Sequence, residues 1–192
     1  MPQDTGIWTA EEAADNHIMD YKLARLIRNK LETEATRHKP FVWDLGAGIG
    51  EYTDYLYHSG YQRITAVDGT SYPNTLPVPH DFHDLTTPVP HWWQRGHVIC
   101  LEVGEHIPEE HLDTFLDNVC GLVATDHKLV LSWAVPGQEG IGHVSCRPNT
   151  WVIAECERRG LVYQEHATEE ARESVSNYCA YFRDTLLIFG RW

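Results

Sequence analysis

An apolar run ending in an acidic residue, then a glycine-rich turn, then a helix-compatible segment constrains this chain more than any other feature. It reads Val42-Trp43-Asp44-Leu45-Gly46-Ala47-Gly48-Ile49-Gly50-Glu51 and continues into Tyr52-Thr53-Asp54-Tyr55-Leu56. Such an order describes a strand feeding a tight turn whose backbone approaches a ligand closely. The helix that follows presents its N-terminus to that ligand.

The glycine spacing separates two nucleotide-like ligands. A dinucleotide site wants G-x-G-x-x-G/A, whose last small residue lets helix and strand pack tightly around a pyrophosphate. Here Gly46, Gly48 and Gly50 give G-x-G-x-G, and Glu51 stands where the last small residue belongs. A second checkpoint follows at Ile64-Thr65-Ala66-Val67-Asp68, a short apolar strand ending in a carboxylate suited to two ribose hydroxyls. The D-x-G-x-G-x-G turn resembles motif I of the class I S-adenosylmethionine-dependent methyltransferases. That resemblance implies a cofactor that has no pyrophosphate to cradle. It assigns Asp44, Gly46, Ala47, Gly48, Gly50 and Asp68 to binding it.

The remaining pattern alternates strand and helix. Thr9-x-x-Glu12 is a capping-box signature, and Met19, Leu23, Leu26, Ile27 and Leu31 recur at helical spacing, so one or two helices lead the chain. Strands are expected near 41–45, 63–67, 78–82, 97–103, 128–133, 161–163 and 184–189. A helix after Pro108 carries Leu112, Phe115, Leu116 and Val119 on one face, and another runs from Asn149 to Arg159 before Gly160. Alternation of this kind builds a mostly parallel α/β sheet with helices on both faces. The resemblance implies the Rossmann-like, doubly wound, seven-stranded form with an antiparallel last strand. The chain reads as one methyltransferase domain over 1–192, with a helical cap over 1–39 and the cofactor-binding and catalytic core over 40–192.

Composition bounds the surroundings. The net charge of −13 argues against a nucleic-acid partner, which relies on clustered Lys and Arg. Lys22, Arg25, Arg28, Lys30, Arg37 and Lys39 make the leading region locally basic, read here as a solvated helix face. No apolar run approaches the roughly 20 residues of a membrane span, and the first residues lack the pattern of a signal peptide. Five cysteines without C-x-x-C pairing read as reduced thiols of a cytoplasmic protein, Cys100 buried in a strand.

In an open α/β sheet the ligand lies beyond the carboxyl ends of the strands. Strand three ends at His80-Asp81-Phe82-His83-Asp84-Leu85, where the family places a carboxylate on the adenine amino group. Asp84 with Leu85 fills that place, and an Asp- and His-rich surface turn is the plainer alternative. Strand four ends in Cys100-Leu101-Glu102-Val103-Gly104-Glu105-His106-Ile107-Pro108, and the resemblance implies that Leu101 and Glu102, the first residues of this turn, line the methionine end of the cofactor.

This last segment resembles the E-x-x-E-H motif of ubiquinone-pathway O-methyltransferases and small-RNA 2′-O-methyltransferases. In those families the motif, together with a histidine from the loop after strand five, holds a divalent metal. The resemblance therefore implies Glu102, Glu105, His106 and His143 as ligands of Mg²⁺ or Mn²⁺. The metal would lower the pKa of an acceptor hydroxyl. Without a metal, His106 or His143 would serve as general base, with Glu105 beside them. Either route favours oxygen over nitrogen as the methyl acceptor, on a vicinal diol of a sugar or a catechol-like ring. Ser132 to Gln138 is similar to methyltransferases of large algal viruses, some tied to glycan modification, which implies a small-molecule or glycan substrate with a sugar hydroxyl. Trp8, His17 and Tyr21, and the polar segment Thr168 to Tyr178, offer a cover for the site, while ordinary core aromatics and a solvated helix are the plainer reading of each taken singly. A metal-free enzyme and a non-catalytic cofactor-binding domain remain as alternatives.

Overall fold

Hydrophobic residues on successive strand positions alternate between two faces, and this sorts the chain into a three-layer sandwich. A computed structural model of the chain describes residues 7–9, 17–32, 40–70 and 78–192. In chain order the elements are α1 (Tyr21–Leu31), β1 (Val42–Leu45), α2 (Glu51–His58), β2 (Ile64–Asp68), β3 (His80–Phe82) and β4 (His97–Cys100). They continue with α3 (Leu112–Gly121), β5 (Lys128–Ser132), α4 (Asn149–Arg158), β6 (Val162–Tyr163), α5 (Glu165–Ser174), α6 (Phe182–Thr185) and β7 (Leu186–Gly190). The sheet order is β3-β2-β1-β4-β5-β7-β6, with β7 antiparallel to both of its neighbours. The expected seven-stranded, doubly wound α/β sheet is present.

On β5, Leu129 and Leu131 face one core while Val130 faces the other; on β7, Leu187 and Phe189 oppose Leu186 and Ile188. One core packs Phe115, Leu116 and Val119 of α3 with Val152 and Cys156 of α4 against the sheet. The opposite core takes Leu23, Ile27 and Leu31 of α1. All five cysteines are free thiols, Cys100 among those fully buried. Among the described residues no helix is long and apolar enough to cross a membrane.

Several boundaries differ from expectation for local reasons. β4 stops at Cys100 instead of running to Val103, because Glu102 adopts a left-handed backbone (φ 53°) that no strand accommodates. Asp184 and Thr185 close the helical turn α6, so the last strand starts at Leu186. The Thr9–Glu12 capping box lies largely outside the described residues. Helix α1 starts under Asp20, whose carboxylate accepts from the backbone N–H groups of Lys22 and Leu23. The same buried carboxylate accepts from the backbone N–H (2.7 Å) and hydroxyl (2.8 Å) of Ser176, tying α1 to the chain after α5. On the basic face of α1, Lys22 and Arg25 are exposed and Lys30 is half-buried. Lys22, Arg25 and Lys30 line a groove opposite Glu170 and Glu173 of α5, and Lys30 pairs with Glu170. Arg37 and Lys39 lie outside the described residues.

Candidate active site

The glycine turn owes its sequence to close approach. Gly46, Gly48 and Gly50 all have positive φ (71°, 52° and 83°). A Cβ on Gly46 would lie 2.3 Å from Val103, and one on Gly48 only 1.4 Å from the His17 ring. Val67 O accepts from the N–H groups of Gly46 (2.8 Å) and Ala47 (3.0 Å), which clamps the turn onto β2. At the end of β2, Asp68 accepts from Gly48 N–H (2.9 Å) and Thr70 N–H (2.8 Å).

Asp44 is buried and accepts a 2.7 Å hydrogen bond from the Thr53 hydroxyl. Burial pushes its pKa up to about 6, Asp68 adds to the rise, and Thr53 opposes it. The folded protein thus holds this proton through a range in which the unfolded chain has released it. Stability from Asp44 is complete below its ordinary value near 3.8 and is lost as pH rises through about 6. Denaturant titrations of wild type and Asp44→Asn should therefore diverge. The wild type loses on the order of 2–3 kcal/mol relative to the variant between pH 4 and 7.

The second cluster is built by the chain after β4 and the loop after β5. A 3₁₀ turn over Gly104–His106 buries Glu105 completely. The carbonyl of Glu105 accepts from Val144 N–H (2.8 Å) and Ser145 N–H (2.9 Å), and the Trp133 indole N–H donates to Ser145 O (2.7 Å). These bonds bring His143 alongside, its Nε2 4.0 Å from Glu105 Oε1. One ligand atom from each of Glu105, His106 and His143 lies within 4.8 Å of the others.

The ring nitrogens are oriented by carbonyls. His106 Nδ1 donates to Gly142 O (3.2 Å) and His143 Nδ1 to Gln138 O (3.3 Å), leaving Nε2 of each as the lone-pair nitrogen. Glu102 sits outside the three-residue group but beside Glu105. Its Oε2 accepts from the Gln138 amide at 3.1 Å. Glu102 Oε1 and both Glu105 oxygens are buried with no donor among the described residues. Burial, then the Glu102 charge, pushes the Glu105 carboxyl well above its usual range. Burial and neighbouring His143 bring His106 down to about 4, so its ring is neutral. Buried carboxyl oxygens without a donor, beside two imidazoles whose Nδ1 groups are held by backbone carbonyls, form a set that fits a divalent cation.

The turn and the cluster share one cavity of about 450 Å³. Asp44, Gly46, Ala47, Asp68, Asp84, Leu85, Leu101, Glu102, His106 and His143 border it. Gly48 lies under His17, Gly50 caps α2, and Glu105 lies behind the wall. Asp84 holds a turn, its Oδ1 accepting from Thr86 N–H (2.9 Å) and hydroxyl (2.7 Å), and the residue also borders the cavity.

No family model matches the sequence, and no curated protein matches it either. Solved structures do. The 1,6-didemethyltoxoflavin-N1-methyltransferase of Burkholderia thailandensis, solved with 1,6-didemethyltoxoflavin and S-adenosylhomocysteine, superposes with a TM-score of 0.66 at 15% identity, covering 94% of this chain and 81% of that one. A TehB-like S-adenosylmethionine-dependent methyltransferase of Corynebacterium glutamicum gives 0.61 at 17% identity, covering 95% and 93%. The fold is that of the class I methyltransferases. The [4+2]-cyclase SpnF shares it, with a TM-score of 0.59 at 10% identity over 88% of this chain and 80% of that one. Chemistry on this methyltransferase fold therefore has to be read from the site.

Three residues expected over the site divide. Trp8 and His17 border the cavity, the Trp8 ring standing edge-on to His106 at 5.1 Å. Tyr21 is exposed and turns into the α1–α5 groove, because it is the first helical residue and its neighbours carry the buried face. Thr168 and Ala171 are core residues, Thr168 Oγ1 accepting from Ile188 N–H, so α5 packs on the sheet and forms no cover. The wall it was expected to supply comes from Tyr181 and Phe182, just beyond it. Ile18 and Ile141 were also missed, neither sitting in a motif or a periodic stretch, and Ser132 and Gln138 end the segment that drew notice only for its resemblance, not as site residues.

Proposed function

We propose that this chain is an S-adenosylmethionine-dependent O-methyltransferase, assisted by a divalent cation, that methylates one hydroxyl of a vicinal diol. The observation that carries it is the group of Glu105, His106 and His143 beside Glu102, with Glu102, His106 and His143 bordering the same cavity as the glycine turn and Asp68. A binding module has no use for both.

When bound, the donor supplies a sulfonium-activated methyl group and a cation of the Mg²⁺ or Mn²⁺ kind supplies Lewis acidity toward a hydroxyl oxygen. The chain's residues do the rest. Asp68 takes the ribose hydroxyls, Asp84 and Leu85 the adenine, and Asp44 and the turn 46–50 the middle of the donor. Leu101 and Glu102 meet the methionine end, and Glu102, Glu105, His106 and His143 hold the cation. Trp8 and His17, which border the cavity, cap the donor and exclude water. Fixing nucleophile and methyl in one small cavity converts an encounter into an oriented contact, which supplies much of the rate.

For the acceptor, the sequence favours a sugar hydroxyl. A catechol-like ring is the second reading, favoured by an apolar mouth: Ile18, Ile141 and Tyr181 border the cavity yet are 59%, 52% and 37% exposed. Radiolabelled methyl transfer to matched panels of sugar diols and catechols, with EDTA and Mn²⁺ add-back, tests all of this. Transfer that stops with EDTA and returns with Mn²⁺ is the expected outcome. Transfer indifferent to EDTA but lost in His143→Ala would instead identify a histidine base. Absence of transfer to any diol would overturn the O-methyltransferase reading.

A further inference from the structure

The loop between β5 and α4 places one residue in contact with two members of the carboxylate–histidine cluster that arrive from different parts of the chain. Gln138 donates from its amide Nε2 to Glu102 Oε2 at 3.1 Å, and its backbone carbonyl accepts from His143 Nδ1 at 3.3 Å. Gln138 is itself set by a turn, its N–H donating to Val135 O at 3.0 Å across Pro136 and Gly137.

We propose that Gln138 is a positioning residue for the cation site, its side chain selecting which oxygen of Glu102 faces the cation and its carbonyl fixing the His143 tautomer. The proposal rests on the cation reading above.

Glu102 needs such a partner. Its backbone is left-handed (φ 53°), a conformation residues with side chains rarely adopt, and its N–H is held by Ser132 Oγ at 2.7 Å. That contact fixes where the side chain starts but not how the carboxylate turns. The Gln138 amide occupies Oε2 and leaves Oε1, which is buried and has no donor among the described residues. The chemistry of an amide suits the task. It donates to a carboxylate without neutralising it, so the negative charge stays available to a cation. A lysine there would cancel that charge, and a glutamate would repel it. Outer partners of this kind typically change metal affinity 10–100-fold when removed.

The test uses the full chain and Mn²⁺ alone, following free Mn²⁺ by electron paramagnetic resonance. Gln138→Met, which keeps the length of the side chain but has no N–H, should weaken Mn²⁺ binding roughly 10–100-fold. Its melting temperature in EDTA should match the wild type, since Gln138 is only half-buried and lies in a loop. The decisive arm is a double-mutant cycle. In a Glu102→Gln background, adding Gln138→Met should change Mn²⁺ affinity less than about twofold, because the group it orients is gone. A merely structural role for Gln138 would instead give losses that add, and would overturn the proposal. So would a Gln138→Met variant that binds Mn²⁺ as the wild type does. A wild type that binds no Mn²⁺ would retire the cation reading itself, and this proposal with it.

Discussion

Replacing Glu105 with glutamine should cut methyl transfer by about 10³-fold and, in the same variant, make the metal-free protein more stable at pH 8. The two effects have one cause. Both Glu105 oxygens are fully buried without a donor among the described residues, facing the Glu102 carboxylate. A cation answers that arrangement, and removing a charged ligand from it removes several kcal/mol of transition-state stabilisation. Without a cation the same charge is a liability. The folded-state pKa of Glu105 is raised, so the stability it contributes is present at low pH and is lost as pH rises through the raised value. Glutamine cannot ionise, and its amide can donate to Glu102. Denaturant unfolding in EDTA should show the variant gaining on the order of 1–3 kcal/mol over the wild type at pH 8, and nothing at pH 4. A variant that keeps its activity, or that is destabilised equally at both pH values, would contradict this role for Glu105.

Replacing Asp68 with alanine should weaken S-adenosylhomocysteine about 100-fold by titration calorimetry, with no change in Mn²⁺ affinity. Two hydrogen bonds from a carboxylate to ribose hydroxyls, each contributing at least about 1.5 kcal/mol, account for that size. Asp68 also holds the N–H groups of Gly48 and Thr70 and so keeps the turn in shape. Asp68→Asn keeps one acceptor oxygen and should lose about tenfold. Equal loss in both variants would mean that the turn, not the ribose, is what Asp68 serves. Affinity within threefold of the wild type for Asp68→Ala would place the donor elsewhere.

The parts of the molecule that announce themselves in the sequence are those with local causes. Gly46, Gly48 and Gly50 are legible because their positive φ values demand glycine, and Asp68 because it ends an apolar run. The alternation on β5 and β7 reads directly as two cores. What stays hidden depends on distant backbone contacts. His143 reaches the cluster through Val144 and Ser145 bonding to the Glu105 carbonyl, a pairing no sequence period encodes; only the motif pointed to it. The left-handed Glu102, which ends β4 early, is a non-glycine residue in a conformation no pattern anticipates. Gln138 and Tyr181 lie in turns and Phe182 opens the single-turn α6, so no periodicity marks them as site residues until the fold brings them to the cavity. Tyr21 and α5 went the other way: aromatic and polar character suggested a cover, and burial of Thr168 and Ala171 made α5 part of the core instead.

The most direct measurement is anomalous diffraction from crystals grown with Mn²⁺ and S-adenosylhomocysteine. The expected result is one Mn²⁺ peak bounded by Glu102, Glu105, His106 and His143, with the homocysteine sulfur in the same cavity and the ribose on Asp68. Donor density in place with no peak at these four residues would contradict cation-assisted methyl transfer.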